Sequence, residues 1–231
     1  MGILLAQNEV PVNLLARTEA EAQTLSSQGR NARFLPGSFF PEGLSVTSEP
    51  ESALQQSDLV IIAVPSDRLR ENVQRIKAHL QPRMIVLSAT KGLELPTARR
   101  MSQVLEDELP DELHPGICVL SGPNLAKEIV EGKLASTVIA GRNPEATQKA
   151  QNMLMSTNFR VYTSADVLGV ELAGALKNIV ALGAGIGDGM DAGENAKAAF
   201  ITRGLAEMTR LGIAAGADPL TFAGLAGLGD V

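Results

Sequence analysis

Asp58-Leu59-Val60-Ile61-Ile62-Ala63-Val64-Pro65-Ser66 is the stretch on which the reading of the fold turns. A strand with one wet face would alternate apolar and polar side chains. This run is apolar without interruption, which suits a strand covered on both faces, as in a parallel sheet. Pro65 ends the strand and Ser66 is a residue type that caps helices. The same short pattern recurs on either side. Residues 12–16, 84–88, 117–120, 137–140 and 159–163 read as strands. Helical patterns fill the gaps at 19–28, 66–80, 97–109, 125–131 and 144–156. Strand and helix in alternation predict an α/β sheet with right-handed crossovers.

Beyond residue 163 the pattern changes. Residues 166–182 and 192–211 read as long helices, and Asp218-Pro219 opens a third with Asp as N-cap and Pro at the first helical position. The expected division is a sheet domain over 1–163 and an all-helical domain over 164–231. Arg33-Phe34-Leu35-Pro36-Gly37 reads as a surface turn. Gly183, Gly185, Gly187 and Gly189 follow a helix, not a strand, so they do not fit a dinucleotide loop and are read as a helix ending. Met190 through Asn195 are expected to cap the next helix.

Composition excludes several classes. The 231 residues carry 20 Lys+Arg against 26 Asp+Glu and only 3% aromatics, so there is little to attract a nucleic-acid backbone or stack bases. One cysteine, Cys118, excludes an internal disulfide framework, and Cys and the two His show no metal-ligand spacing. A reducing, cytoplasmic compartment is expected. The N-terminal MGILLAQNEV lacks the basic region of a secretory signal, and Ala6 stands where myristoylation wants Ser or Thr. Residues 167–186 form the most apolar long stretch, but Glu171 and Lys177 inside it argue against a membrane span.

Five segments could carry chemistry. Val64-Pro65-Ser66 lies at the carboxyl end of a strand, where open α/β sheets bind ligands, but it also suits an ordinary turn. Lys91 in Thr90-Lys91-Gly92 follows a strand and could meet an anion or sit in solvent. Ser121-Gly122-Pro123-Asn124 opens a helix with Asn124 as N-cap, a place for phosphate or a carboxamide as much as for simple capping. Lys177 stands alone in the apolar helix Glu171-Leu172-Ala173-Gly174-Ala175-Leu176-Lys177-Asn178-Ile179. A buried ammonium needs a partner or a use, and desolvation lowers its pKa toward that of a general acid. The bland alternative is a lysine snorkelling to solvent. Gly224-Leu225-Ala226-Gly227-Leu228-Gly229-Asp230 would let Asp230 orient a lysine, or be a plain glycine-rich turn.

Thr90-Lys91-Gly92, Ser121-Gly122-Pro123, Leu176-Lys177-Asn178 and Gly227-Leu228-Gly229-Asp230, together with Arg33 through Gly37, Asp58 through Ser66 and Ala198 through Met208, occur in one order across nearly the whole chain. In that combination the chain resembles the bacterial-type NAD(P)-dependent glycerol-3-phosphate dehydrogenases. The resemblance implies a Rossmann-like domain followed by a helical domain, with the site between them. It implies NAD or NADP as cofactor and reduction of dihydroxyacetone phosphate to sn-glycerol 3-phosphate for glycerophospholipid synthesis. By position it makes Lys177 the catalytic lysine. Lys91, Gly122, Asn124, Lys177 and Asp230 match substrate-binding positions. Arg17, Lys91 and Ala126 match cofactor contacts. Asn124 stands where the family has Ser or Thr. No metal, nucleic acid or membrane span is implied, and a homodimer is the assembly considered.

The chain departs from the family at both ends. Met1-Gly2 stands about where the family's Gly-x-Gly-x-Trp-Gly loop closes, so the first strand and most of that loop are expected to be missing. Asn8-Glu9-Val10-Pro11 replaces an Asn-Gly-His, and the chain stops before the family's Arg-Asn pair. Both neighbours of the missing strand should then present open edges. Three readings follow: an enzyme or an inactive fragment of one, a non-enzymatic remnant serving as a binding or interaction module, and a related two-domain dehydrogenase acting on 2-ketopantoate or a 3-hydroxy acid.

Overall fold

A computed structural model describes residues 1–230. The chain opens with a short helix α1 (Gly2–Gln7), followed by strand β1 (Val12–Leu15). Helix α2 (Glu19–Gln28) starts where Thr18 Oγ1 accepts the Glu21 N–H and stops at Gly29, whose φ of 59° is a left-handed cap. Arg33 through Gly37 form turns, as expected. Strand β2 (Leu44–Thr47) and helix α3 (Pro50–Leu54) lead to β3 (Leu59–Ile62). Helix α4 (Leu69–Ile76) is flanked by single 3-10 turns that complete the expected 66–80 segment.

Strand β4 (Ile85–Ser88) is followed by a small hairpin, β5 (Leu93–Glu94) and β6 (Arg99–Arg100). The hairpin corrects the helix expected from residue 97, which begins only as α5 (Met101–Glu108). Its cause is polar pairing that a helical pattern does not reveal. Glu94 accepts from Thr97 Oγ1 at 2.7 Å and from Arg70 Nε at 2.7 Å, which holds the turn open ahead of the helix. Next come β7 (Ile117–Ser121), α6 (Ala126–Val130), β8 (Ala135–Gly141), α7 (Pro144–Leu154) and β9 (Phe159–Ser164). Pro144 sits in the first turn of α7, and Asn143 Oδ1 caps it by accepting from Glu145 N at 3.0 Å.

The main sheet has the order β3-β4-β7-β8-β9. Its central strands β4 and β7 are buried at every position, as unbroken apolar runs require. The sheet is mixed, not wholly parallel, because β8 runs antiparallel to β7. A link carrying only the five-residue α6 suffices for an antiparallel neighbour, whereas the parallel pair β8–β9 needs the longer α7 between its strands. Strands β1 and β2 form a separate parallel pair. Among the described residues β1 pairs only with β2 and β3 only with β4, so each leaves one edge open.

One core layer lies under α3, α4 and α5, with Leu69, Val73, Val104 and Leu105 fully buried. A second on the opposite face joins α1 and α7 to β4, β7, β8 and β9 through Leu5, Leu87, Ile139, Leu154 and Phe159. The remaining helices are α8 (Val167–Gly189), α9 (Glu194–Ala215) and α10 (Pro219–Phe222). They build a third core around Val170, Ala173, Met208 and Phe222, closed on the sheet side by Val119 and Ala140.

Helix α8 runs straight through Gly183, Gly185, Gly187 and Gly189, which corrects the expected ending there. The bare Gly183 receives the Phe200 ring of α9, where a Cβ would overlap it, and Ala184 beside it is buried. The cap of α9 falls on Gly193 with φ 85°, without a side-chain bond. Asp218 and Pro219 do open α10, though it lasts four residues. By length and composition α8 could cross a membrane, but here it packs against β7, α9 and α10.

Candidate active site

Three loops follow the carboxyl ends of β3, β4 and β7, and the second and third reach α8 at Gly174 through Lys91 and Ser121. The first follows β3, where Ala63 and Pro65 are exposed although they belong to an apolar run. The second follows β4. Thr90 Oγ1 is bonded at 3.3 Å by the Val64 N–H, which ties this loop to the first. Gly92 then passes so close to Ser66, with φ 123°, that a Cβ would stand 3.0 Å from Ser66 Oγ. The third loop follows β7. Gly122, at φ 143°, lies against the backbone of Thr137, leaving a Cβ only 3.1 Å from its Cα.

Lys91 reaches out of the second loop. Its Nζ donates to the Gly122 carbonyl at 3.1 Å and to Asp230 Oδ2. Lys177 arrives from α8 and donates to Asp230 Oδ1 at 2.6 Å and to the Asp230 carbonyl at 2.9 Å. One carboxylate, 6% exposed, thus joins two ammoniums, one from the loop after β4 and one from α8. The snorkelling alternative for Lys177 is not what the geometry contains, since the side chain turns inward to a partner. Burial pushes the Lys91 ammonium below the ordinary lysine range. The hydrogen bond and charge of Asp230 oppose that shift, and the neighbouring Lys177 charge adds to it.

Asn124 does not cap α6, which corrects the sequence expectation. The N-cap is Leu125, without a side-chain bond. Asn124 Nδ2 instead donates to Thr137 Oγ1 at 2.9 Å, and that hydroxyl donates to the Ser121 carbonyl at 2.9 Å. The arrangement leaves the buried Asn124 Oδ1 and Ser121 Oγ without protein partners. Ala126 is the first residue of α6 and is exposed. Arg17 follows β1, is exposed, and pairs with Glu21 through Nε at 3.1 Å. Lys91 and Lys177 therefore meet at Asp230, Gly122 is tied in through Lys91, and Asn124, two residues on, bonds Thr137, whereas Arg17 and Ala126 make no bond to the cluster. Cys118 is buried, which pushes its thiol up to about 12 and removes it as a nucleophile. No metal-ligating cluster occurs among the described residues.

Sequence reasoning missed Thr137, which carries the Asn124–Ser121 relay from a neighbouring strand. It also missed a use for Glu171, whose carboxylate lies in the domain contact described below. No local pattern announces either. The chemistry of the site suits a small anionic substrate with a polar oxygen, held by two ammoniums. Ala63 and Pro65 are exposed at the end of β3, and Gly92 and Gly122 are packed against Ser66 and Thr137 at positions where no Cβ fits.

The sequence profile for the N-terminus of NAD-dependent glycerol-3-phosphate dehydrogenase matches residues 1–147, and that for its C-terminus matches residues 166–231. An NAD(P)+ glycerol-3-phosphate dehydrogenase of Dehalococcoides mccartyi is 53% identical over 100% of this chain and 65% of its own length. A protein of the same name from Bacillus pumilus is 41% identical over 100% of this chain and 67% of its own. The chain thus spans about 65% of the length of the first of these relatives. The crystal structure of a glycerol-3-phosphate dehydrogenase from Coxiella burnetii superposes with a TM-score of 0.91 at 35% identity, covering 99% of this chain and 69% of that one. A ketopantoate reductase from Ralstonia eutropha reaches 0.55 at 19% identity over 74% of this chain and shares the fold alone.

Proposed function

The chain belongs to the NAD-dependent glycerol-3-phosphate dehydrogenase family, and from that premise we propose that its lysine–aspartate cluster serves the NAD(P)H-dependent reduction of dihydroxyacetone phosphate to sn-glycerol 3-phosphate. The observation that carries the reading is the convergence of Lys91 and Lys177 on Asp230. Lys177 polarises the substrate carbonyl and gives its oxygen a proton, while Asp230 holds the ammonium in line. Lys91 balances negative charge on the substrate from the sheet side. Gly122 and Asn124 are proposed to contact the substrate beside Lys91, and Lys91, Ala126 and Arg17 are the residues proposed to hold the dinucleotide. When bound, the dinucleotide supplies the hydride that reduces the carbonyl carbon. The sheet module over 1–163 would carry the cofactor and the helices over 164–231 the catalytic lysine. The product would feed glycerophospholipid synthesis in a cytoplasmic, homodimeric enzyme.

The test is dihydroxyacetone phosphate-dependent oxidation of NADH and NADPH by the natural gene product and its Lys177→Ala variant. Loss of about a thousandfold in kcat with nucleotide affinity retained is expected. A variant that keeps most of its turnover removes Lys177 from the mechanism. In the same assay the 231-residue chain alone is expected to be without appreciable turnover. Its β1 and β3 edges are both open beside the strand ends where a pyrophosphate would bind. Those open edges also favour the second reading, a non-enzymatic binding module, which predicts no turnover at any length.

A further inference from the structure

Glu171 is buried at 6% exposure and takes no part in the chemistry proposed above. Its carboxylate lies on the N-terminus of α5. It accepts from the Ser102 N–H at 2.6 Å, from Ser102 Oγ at 2.6 Å and from Arg100 Nη1 at 2.5 Å. These partners belong to the hairpin and helix that follow Lys91 and Gly92. Glu171, Gly174 and Lys177 recur at every third position of α8, so they form one ridge along it. Each meets a different part of the sheet module or its site. Glu171 meets α5. Gly174 meets Ser121, so closely that a Cβ would stand 2.6 Å from its Oγ. Lys177 meets Asp230.

We infer that Glu171 is a positioning residue. It sets the rotation of α8 against the sheet module and thereby places the Lys177 ammonium opposite Lys91. Asp230 cannot do this alone. Its turn, 228–230, belongs to the helical module with Lys177 and reaches the sheet module through Lys91, so it holds the Lys177 ammonium without fixing the rotation of α8. Gly174 has no side chain and only permits close approach. Glu171 is the side chain on the ridge that grips the sheet module with charge and direction. The leverage is large, because a side-chain tip about 6 Å from the helix axis moves about 2 Å when the helix turns by about 20°. A displacement of that size costs on the order of a hundredfold in rate.

The inference rests on the reading of Lys177 as the proton donor, so its main test does not use turnover. Lysines of the 231-residue chain are trace-acetylated across a pH series, and the labelling of Lys177 is read by mass spectrometry against the exposed Lys133. Glu171→Gln is expected to raise the relative labelling of Lys177 about fivefold or more and to shift its pH profile, with circular dichroism unchanged. Gly212→Ala serves as control, because it strains the Phe222 core without touching Ser102 or Arg100. It should lower Tm and leave the Lys177 profile in place. An unchanged profile in Glu171→Gln, or an equal shift in both variants, overturns the inference. Should Glu171→Gln fail to fold, Ser102→Ala, which removes one donor, decides by the same readout. In the natural gene product Glu171→Gln should lower kcat about tenfold to a hundredfold with KM nearly kept. If Lys177→Ala spares turnover while the labelling shift is found, the catalytic reading fails and the positioning survives.

Discussion

Asp230 is a single carboxylate shared by two ammoniums, and it governs what each of them can do. Lys91 already sits below its ordinary value of 10.5 because burial disfavours its charge, and Asp230 is the group that pulls it back. Between the lowered value and 10.5 the unfolded chain binds this proton and the folded chain sheds it. On that account the group makes stability rise with pH across the alkaline window. Asp230→Asn removes the opposing bond and charge, so the Lys91 midpoint should fall further and the window should extend downward. Lysine-resolved titration by NMR after isotopic methylation checks the midpoint, and urea unfolding along a pH series checks the slope. A Lys91 midpoint that stays in place would mean that solvent, not Asp230, sets its charge.

At the scale of elements, α4, α5 and the β5–β6 hairpin are held by one guanidinium. Arg70 donates to Glu94 at 2.7 and 3.0 Å, to Glu108 at 2.6 Å and to Asp107 at 3.2 Å. Its bond holds the Glu94 carboxyl at about 2, with Thr97 contributing, and draws Glu108 down as well. A carboxylate lowered in the folded state stabilises fully above its ordinary value of 4.5, and the contribution is lost as pH falls toward about 2. Solvent screens the cluster, so its worth is roughly 1 kcal/mol. Arg70→Met should cost about that much at neutral pH and flatten the acid limb of the stability curve, as thermal unfolding along a pH series would register. A variant whose acid limb matches the parent's would assign acid lability to other carboxylates. The same guanidinium explains why a helical pattern over 97–109 yields a hairpin first: a pairing between α4 and the hairpin overrides local propensity.

Across the whole molecule, stability should be uneven. Strands β4 and β7 are buried and paired on both sides, whereas β1 and β3 each carry an open edge. Open edges exchange amide protons readily and invite pairing with other chains. Hydrogen exchange should therefore run at least about tenfold faster in β1 and β3 than in β4 and β7. Equal protection in all four strands would show that the edges are covered in solution. The helical module is joined to the sheet module through Val119 and Ala140, through Glu171 on α5, and through Asp230 on Lys91. The candidate site lies on this seam, so its geometry depends on how the modules dock.

The sequence by itself determined the local elements and the chemical inventory. Continuous apolar runs made the main strands legible, Asp218 marked a helix start, Lys91 stood out by its place after a strand, and the lone cation Lys177 stood out because charge is costly in an apolar helix. Such signals act within a few residues, where backbone sterics and hydrogen bonding operate. Only the tertiary structure decided the antiparallel turn of β8, the passage of α8 through its glycines, the release of Asn124 from capping, and the grip of Glu171 on α5. Each depends on partners far along the chain: Asp230 and Lys91 meet across 139 positions. A contact of that span is set by which faces pack together, and no local spacing records it.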